Sequence, residues 1–272
     1  MLSVDAELAR RLEMTDALAG VEFARAWARR HSYSEEVAIE VAGGHAGFAG
    51  VDSPLTQAFA LGFNGPVRAA DLERMEHFYQ SRGSAVNVET CPLADPSLLE
   101  LLGQRGYRQI EESNVFAREI VERESNLWPD DSSGIRVRSP EERELDTYTE
   151  LVAKSFFENV EITPEFLDLF KNPFYAAGAH FFMAEVEGVP AGGAMMSIHR
   201  GVASLGGAGT LPEFRNRGVQ TALILARLEV AAESGCDLAM VATGLDTVSQ
   251  RNVERRGFQM VYRRSKLIRE WR

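Results

Sequence analysis

Cysteines, basic residues and long apolar runs are all scarce in this sequence, and each scarcity excludes a class of protein. The two cysteines, Cys91 and Cys236, belong to no CxxC motif and to no Cys/His cluster. They therefore predict neither a disulfide framework nor a zinc site, and we expect both thiols to be buried. No apolar run approaches the roughly 18 residues of a membrane-spanning helix, so no membrane partner is expected.

The charge balance argues against a nucleic-acid partner. The formal net charge is −11, whereas proteins that bind nucleic acid usually carry a basic face. A negative field instead favours cationic small molecules such as amines. Hydrophobic and charged contents of 45% and 25% are typical of a globular protein. The first residues lack the basic-then-apolar layout of a signal peptide, so we expect a cytoplasmic protein.

A repeat organises the chain. Turn-forming residues in "NLWPDDSSG" predict a linker at 126–134, between domains at 1–125 and 135–272. On both sides of it the pattern reads helix, glycine, strand, helix, glycine, aromatic residue, strand. Gly83 and Gly106 punctuate the first copy, and Gly235 and Gly257 punctuate the second. We interpret the halves as copies of one module.

The second copy reads as a complete mixed α/β module. Apolar periodicity and turn residues predict the order β-α-α-β-β-β-α-β-α-β from residue 134 onward. Its long helix at 218–234 follows the segment "TLPEFRNRGVQTAL" at 210–223. The first copy has "GFNGPVRAADL" ahead of the corresponding helix, a turn that lacks the flanking arginines.

The residues of "TLPEFRNRGVQTAL" suit an anion. A helix N-terminus has unpaired N–H groups and a partial positive charge, and a preceding turn can add further inward N–H groups. Gly218 permits close approach of a ligand, and Arg215 and Arg217 suit phosphate oxygens. A diphosphate is the natural guest, and a solvated basic turn that caps the helix is the alternative. The sequence has no GxxxxGK[ST] motif, and "GGAG" at 206–209 lacks a GxGxxG continuation.

Together, "TLPEFRNRGVQTAL", "SGCDLAMVAT" and "NVERRGFQ" resemble the GNAT superfamily of N-acetyltransferases. Its signature, [R/Q]-x-x-G-x-[G/A], follows the fourth strand of the fold. The resemblance implies an α/β protein with two GNAT-like mixed-sheet modules in tandem. The C-terminal module would be complete and the N-terminal one degenerate.

The resemblance also implies an acetyl-CoA site without a metal. The pyrophosphate would be held, chiefly by backbone N–H groups, at Arg215, Asn216, Arg217, Gly218, Val219 and Gln220, with Thr221 on the first helical turn. The strand end at Gly209, Thr210 and Leu211 would pair with the pantetheine arm, and a backbone N–H there would polarise the thioester carbonyl. Ser249 and Asn252 stand on the helix that usually reaches the far side of CoA, although helix capping would also account for them.

Two positions depart from the family pattern. Gln220 replaces the usual Gly or Ala, so its side chain must point away from the phosphates. Val253 replaces a tyrosine that in many members protonates the leaving thiolate. Tyr262 is a substitute candidate, and a packed strand tyrosine is the alternative interpretation. Glu158 and Glu161, beside Phe156 and Phe157, fall where the acceptor pocket often forms in this family, although a solvated helix end would also account for them.

We therefore expect an enzyme that transfers an acetyl group from acetyl-CoA to an amine by direct attack in a ternary complex. The acceptor is a small molecule or a peptide, and a homodimer is left open. The N-terminal copy would be non-catalytic. The alternatives are an acyl-CoA sensor without turnover, as Val253 suggests, and transfer of a longer acyl group, which the small Ala208 and Gly209 permit.

Overall fold

The computed structural model describes residues 2–121, 134–157 and 162–271. The helices there are α1 (Ala6–Arg30), α2 (Ala69–Gln80), α3 (Ser97–Gln104), α4 (Leu145–Phe156), α5 (Pro164–Lys171), α6 (Val219–Glu233) and α7 (Val248–Glu254). The strands are β1 (Ala38–Val41), β2 (Gly44–Gly47), β3 (Gln57–Phe59), β4 (Val86–Thr90), β5 (Arg108–Glu119), β6 (Ile135–Arg138), β7 (Ala179–Val186), β8 (Val189–His199), β9 (Val202–Thr210), β10 (Leu238–Thr243) and β11 (Gln259–Arg269).

The predicted order of elements is confirmed in both copies. From β6 onward the chain runs β-α-α-β-β-β-α-β-α-β, and α2-β4-α3-β5 repeats the order of α6-β10-α7-β11. Gly106 and Gly257, at equivalent points before the last strand of each copy, both have positive φ. The predicted linker at 126–134 lies outside the described residues, apart from Gly134.

Two compact units form the molecule. Unit 1 comprises the described residues up to 116 together with 242–250 and 259–271, and unit 2 comprises those of 117–241 with 251–258. Each unit thus contains chain from both sides of the predicted linker. The division into domains at 1–125 and 135–272 stays a prediction.

Unit 1 packs α1, α2 and α3 on strands in the order β1-β2-β3-β4-β11-β5. Leu72, Met75 and Tyr79, which share one face of α2, are fully buried with the side chains of β4 and α3. The long helix α1, which the sequence patterns did not indicate, begins where the Asp5 carboxylate accepts a hydrogen bond from the Leu8 N–H at 2.9 Å.

The last strand of the second copy lies in unit 1. Strand β11 pairs antiparallel with β4, with Ser265 opposite Thr90 and Arg269 opposite Val86. The buried Arg264 on β11 forms ion pairs with Glu13 at 2.8 Å and Asp16 at 2.9 Å, both on α1. The last strand of the second copy therefore extends a sheet that contains strands of the first copy.

Unit 2 contains the strand order β10-β9-β8-β7-β6. Strands β6 to β9 form an antiparallel meander, and β10 joins β9 in parallel. Helices α4 and α6 cover opposite faces of β8. A Cβ on Gly193 would meet Tyr148 and Val152 of α4, whereas one on Gly192 would meet Val219 of α6.

Three further observations bear on the expectations drawn from composition. Cys91 and Cys236 are both buried and unpaired, as predicted. In the described part of the chain, no helix combines the length and the apolar composition needed to cross a membrane. No three His, Cys, Asp or Glu residues within that part are grouped to hold a metal ion.

Candidate active site

Strand β9 is irregular near its end. Gly193 of β8 lies opposite Gly209 and Met195 lies opposite Gly206, so that residues 207 and 208 together face Ala194 alone. This is a β-bulge, and Gly207 takes a positive φ of 52° within it. A bulge redirects the backbone groups of a strand, so the amides near 207–208 do not follow the regular ladder.

Strands β9 and β10 separate as they approach the same end. Their parallel pairing ends at Ser204 and Met240, although β9 continues to Thr210. Beyond Ser204 the edge of β9 that faces away from β8 has no strand partner in the described residues. An extended chain such as a pantetheine arm can pair with an edge of this kind.

The turn after β9 produces a run of free amides. A short 3-10 helix at Pro212–Phe214 is followed by Asn216 and Gly218 at positive φ values of 61° and 91°, and α6 then begins. Within the described residues, none of the backbone N–H groups of 216–221 donates a hydrogen bond. Consecutive free amides at a helix start can bind an anion, and the diphosphate site at this turn stays a prediction.

The side chains of the turn divide into two groups. Arg215, Asn216 and Arg217 are exposed, and the Arg217 guanidinium lies 5.6 Å from the centre of the Phe214 ring. Gln220 instead points back toward the strand, and its amide donates to the Thr210 hydroxyl at 3.0 Å. The Gln220 side chain is thus held away from the free amides by a bond to β9.

Three further residues contact this region, and of these only Phe156 was considered in the sequence analysis. Arg256 donates from its guanidinium to the Thr221 hydroxyl at 3.3 Å, which adds a cation beside the first turn of α6. Ser155 and Phe156, at the end of α4, lie over Gly209. A Cβ on Gly209 would be 1.6 Å from the Ser155 Oγ and 3.6 Å from the Phe156 ring. Only a glycine fits at this point of β9.

The other predicted residues have less distinctive surroundings. The Leu211 N–H donates to the Ala191 carbonyl at 2.9 Å, so this amide is already paired with β8. Val219 is buried on the first turn of α6. On α7, Ser249 is exposed and belongs to unit 1, and the half-buried Asn252 belongs to unit 2. Glu158 and Glu161 lie outside the described residues.

Neither of the two positions considered for an acid, 253 and 262, has a proton available for the leaving thiolate. Val253 is buried and has no proton to give. Tyr262 is also buried, and its hydroxyl donates to the Glu13 carboxylate of unit 1 at 2.8 Å. Burial, aided by the nearby Glu13 charge, raises the pKa of Tyr262 well above its ordinary value. These contacts favour the packed-tyrosine interpretation.

The corresponding helix start in the first copy is blocked by the protein itself. At the N-terminus of α2, the Asp71 carboxylate accepts a hydrogen bond from the Arg68 N–H at 2.9 Å. The Asp95 N–H donates to the Gly62 carbonyl at 2.9 Å, which ties together the loops after β3 and β4. A carboxylate where the second copy has free amides would repel a phosphate.

Residues 145–258 match the model of the Acetyltransferase (GNAT) family. The match covers less than half of the chain and extends from the start of α4 to just beyond α7. No curated protein sequence matches the chain.

Solved structures resemble nearly the whole chain. A GCN5-related N-acetyltransferase from Kribbella flavida is 18% identical, with a TM-score of 0.64 over 92% of this chain and 95% of its own. A tandem GNAT protein from the clavulanic acid biosynthesis pathway is 14% identical, with a TM-score of 0.60 over 99% of this chain and 97% of its own. A putative GNAT acetyltransferase from Novosphingobium aromaticivorans is 15% identical, with a TM-score of 0.57 over 96% and 97%.

Because the sequence identities are this low, the solved structures are evidence for the fold alone. They confirm the predicted α/β fold with two GNAT-like modules in tandem. The family match, in turn, covers the bulged strand, the turn with free amides and the helix that follows. Members of this family transfer an acyl group from acetyl-CoA to an amine. Residues 145–258 therefore form a GNAT-family acetyltransferase domain.

Proposed function

We propose that unit 2 binds acetyl-CoA at the end of β9 and transfers the acetyl group directly to an amine in a ternary complex. The observation that carries this proposal is the run of unpaired amides at 216–221 beside an open strand edge. The amides hold the diphosphate, and Arg215, Arg217 and Arg256 add positive charge around it. The pantetheine arm pairs along the edge of β9 between Leu205 and Thr210.

The bulge of β9 supplies the chemistry at the thioester. A backbone N–H redirected there donates to the thioester oxygen, where negative charge develops as the amine attacks. The C–N bond forms and the C–S bond breaks, so the electron pair leaves with the CoA sulfur. A thiol has a pKa of about 8.5, so the thiolate can leave and then take its proton from water or from the nitrogen of the amine, which becomes positively charged once the C–N bond has formed. This route requires no tyrosine at position 253.

The acceptor side of the site is aromatic. Phe156, beside Gly209, is 48% exposed, and Phe157 is 37% exposed. Phe157 packs edge-on against Phe166 of α5, with ring centroids 5.0 Å apart. Rings next to the thioester would bind the apolar part of an amine acceptor or the chain of a longer acyl group.

Gly218→Glu tests the binding proposal. A carboxylate at this position would place negative charge beside the amides proposed to hold the diphosphate, and its Cβ would lie 3.4 Å from the Ile135 Cδ1. CoA binding measured by calorimetry should therefore be lost. The thermal shift should disappear with it, since a ligand at 100 times its dissociation constant stabilises wild type by about 2.7 kcal/mol.

Gly235→Glu is the matched control. Gly235 is exposed at the other end of α6 and also has a positive φ, 73° against 91° at Gly218. The control variant therefore carries the same strain and charge away from the turn. Equal CoA binding by Gly218→Glu and Gly235→Glu would refute the assignment of the turn.

A CoA sensor without turnover is the second candidate, and Val253 is the observation that favours it. Release of free CoA thiol in the presence of an amine panel separates the two functions. Saturable CoA binding with no amine-dependent thiol release would identify a sensor.

A further inference from the structure

Arg227 is a buried cation on α6. It is only 3% exposed and forms no ion pair with any carboxylate of the described residues. Its Nε donates to the Leu223 carbonyl of the same helix at 2.9 Å. One terminal nitrogen lies 3.4 Å from the carbonyl oxygens of both Met195 and Gly206.

These carbonyls mark the edge of the bulge. Met195 and Gly206 form the last regular pair of β8 and β9 before residues 207–208 bulge out. Ala194 precedes Met195 on β8, and its carbonyl accepts a hydrogen bond from the Tyr148 hydroxyl of α4 at 2.7 Å. Helices α4 and α6 lie on opposite faces of β8, so the irregular part of the ladder is fixed by one polar side chain from each face.

Stability does not explain a guanidinium here. A buried charge with only neutral partners is costly, and well-packed apolar side chains in place of buried ionic groups are often neutral or stabilising. Burial lowers the pKa of Arg227 to about 10, so the side chain is still a cation near neutral pH. A long apolar side chain such as Met would fill the same space without that cost.

We propose that Arg227 is a positioning residue for acyl transfer. By holding the Met195 and Gly206 carbonyls it keeps the bulge open, with the amides near 207–208 directed toward the thioester oxygen. This inference rests on the proposed function. Arg227 does not touch acetyl-CoA, and it acts through the backbone of β9.

Arg227→Met should separate stability from activity. We expect a melting temperature equal to or above that of wild type and acetyl-CoA affinity within about twofold, because the amides at 216–221 are untouched. With the amine that wild type uses, kcat should fall by a factor on the order of 10 to 100, somewhat less than the loss of an oxyanion donor itself causes. The kcat of Arg227→Lys should lie between those of Arg227→Met and wild type, since a single ammonium replaces a guanidinium that donates to three carbonyl oxygens.

A spectroscopic measurement makes the test independent of turnover. The infrared carbonyl band of bound acetyl-CoA labelled with 13C at the thioester carbon should shift to lower frequency in wild type, where the bulge amide polarises it. The shift should shrink in Arg227→Met and, to a lesser degree, in Tyr148→Phe. Arg143→Met, which changes a side chain that is 80% exposed and paired with Glu141, is the control and should keep the full shift.

The outcomes divide cleanly. Wild-type kcat and wild-type band position in Arg227→Met overturn the inference, and so does a loss of acetyl-CoA affinity that accounts for the whole loss of activity. If Arg227→Met does not fold, unchanged kcat and band position in both Arg227→Lys and Tyr148→Phe overturn it. Failure of wild type itself to bind acetyl-CoA refutes the proposed function and this inference with it. Binding without transfer refutes only the enzymatic function, and the band shift then decides the role of Arg227.

Discussion

At the scale of single residues, the site depends on positions where a side chain cannot be tolerated. Gly209 is the clearest case, because Ser155 fills the space in which its Cβ would lie, and the Ser155 hydroxyl is itself fixed by a 2.7 Å bond to the Val152 carbonyl. This contact joins the end of α4 to the end of β9. It therefore couples the acceptor side of the proposed site to the strand that would carry the thioester.

Gly209→Ala should accordingly lower both stability and activity. The new methyl group would overlap the Ser155 side chain, and overpacking of this kind costs about 1–3 kcal/mol. Chemical denaturation and kcat/KM measure the two effects. Gly206→Ala on the same strand is the control, because its nearest neighbour, the Met195 Cγ, would be 3.8 Å from the new Cβ. Adding Ser155→Gly to Gly209→Ala should restore most of the lost stability, and no recovery would show that the contact is not the cause.

Residue patterns predicted the turn but not its surroundings. The signature at 215–220 is local, so the free amides, the left-handed Gly218 and the helix start follow from a short stretch of sequence. Three further residues reach the site from 21 to 54 residues away along the chain. Arg256 contacts Thr221, Ser155 contacts Gly209, and Arg227 contacts Gly206. Such contacts depend on how helices are set against the sheet, and no local pattern encodes that placement.

At the scale of elements, the sequence predicts the strand β11 but not the strand with which it pairs. Its alternation and its glycine boundary indicate a strand after Gly257, and β11 begins two residues later. Periodicity cannot say which strand is its partner. The partner is β4 of the first copy, and the buried Arg264 on β11 meets Glu13 and Asp16 of α1.

Arg264→Met should destabilise unit 1 strongly. Removing one partner of a buried ion pair costs about 3–5 kcal/mol, because the remaining charge is buried alone. Burial already raises the pKa of Glu13, and Arg264 is the main opposing influence. Without Arg264 that pKa rises further. A raised pKa stabilises the folded state at low pH and withdraws that stability as the pH increases. The loss of unfolding free energy in Arg264→Met, measured by urea denaturation, should thus be smaller at pH 5 than at pH 8.

Two variants give this prediction its controls. Arg108→Met removes an exposed pair with Glu270, in which both side chains are 62% exposed, and should change stability by no more than about 1 kcal/mol. The double variant Glu13→Leu/Arg264→Met should regain most of the stability, since no unpaired charge is left between the two positions. If Arg264→Met alone were as stable as wild type at pH 8, the ion pair between Arg264 and Glu13 would not stabilise unit 1.

At the scale of the whole molecule, the repeat and the compact units do not share boundaries. The sequence predicts two domains, a degenerate one at 1–125 and a complete one at 135–272. Residues 242–250 and 259–271 belong to unit 1, together with the described residues up to 116. The N-terminal copy, whose helix start at α2 is occupied by Asp71, would then be retained because the second copy needs a sheet for its last strand.

Expression of the two halves as separate chains tests this view. A fragment of residues 134–272 would carry β11 without β4, and Arg264 without Glu13 and Asp16. It would expose an unpaired strand edge and a cation that is otherwise buried, so alone we expect it to aggregate. Co-expressed with residues 1–125, it should co-purify in equal amounts and bind acetyl-CoA, because β11 then recovers its partner. A monomeric 134–272 fragment that binds acetyl-CoA as well as the full chain would show instead that the C-terminal half is an independent domain.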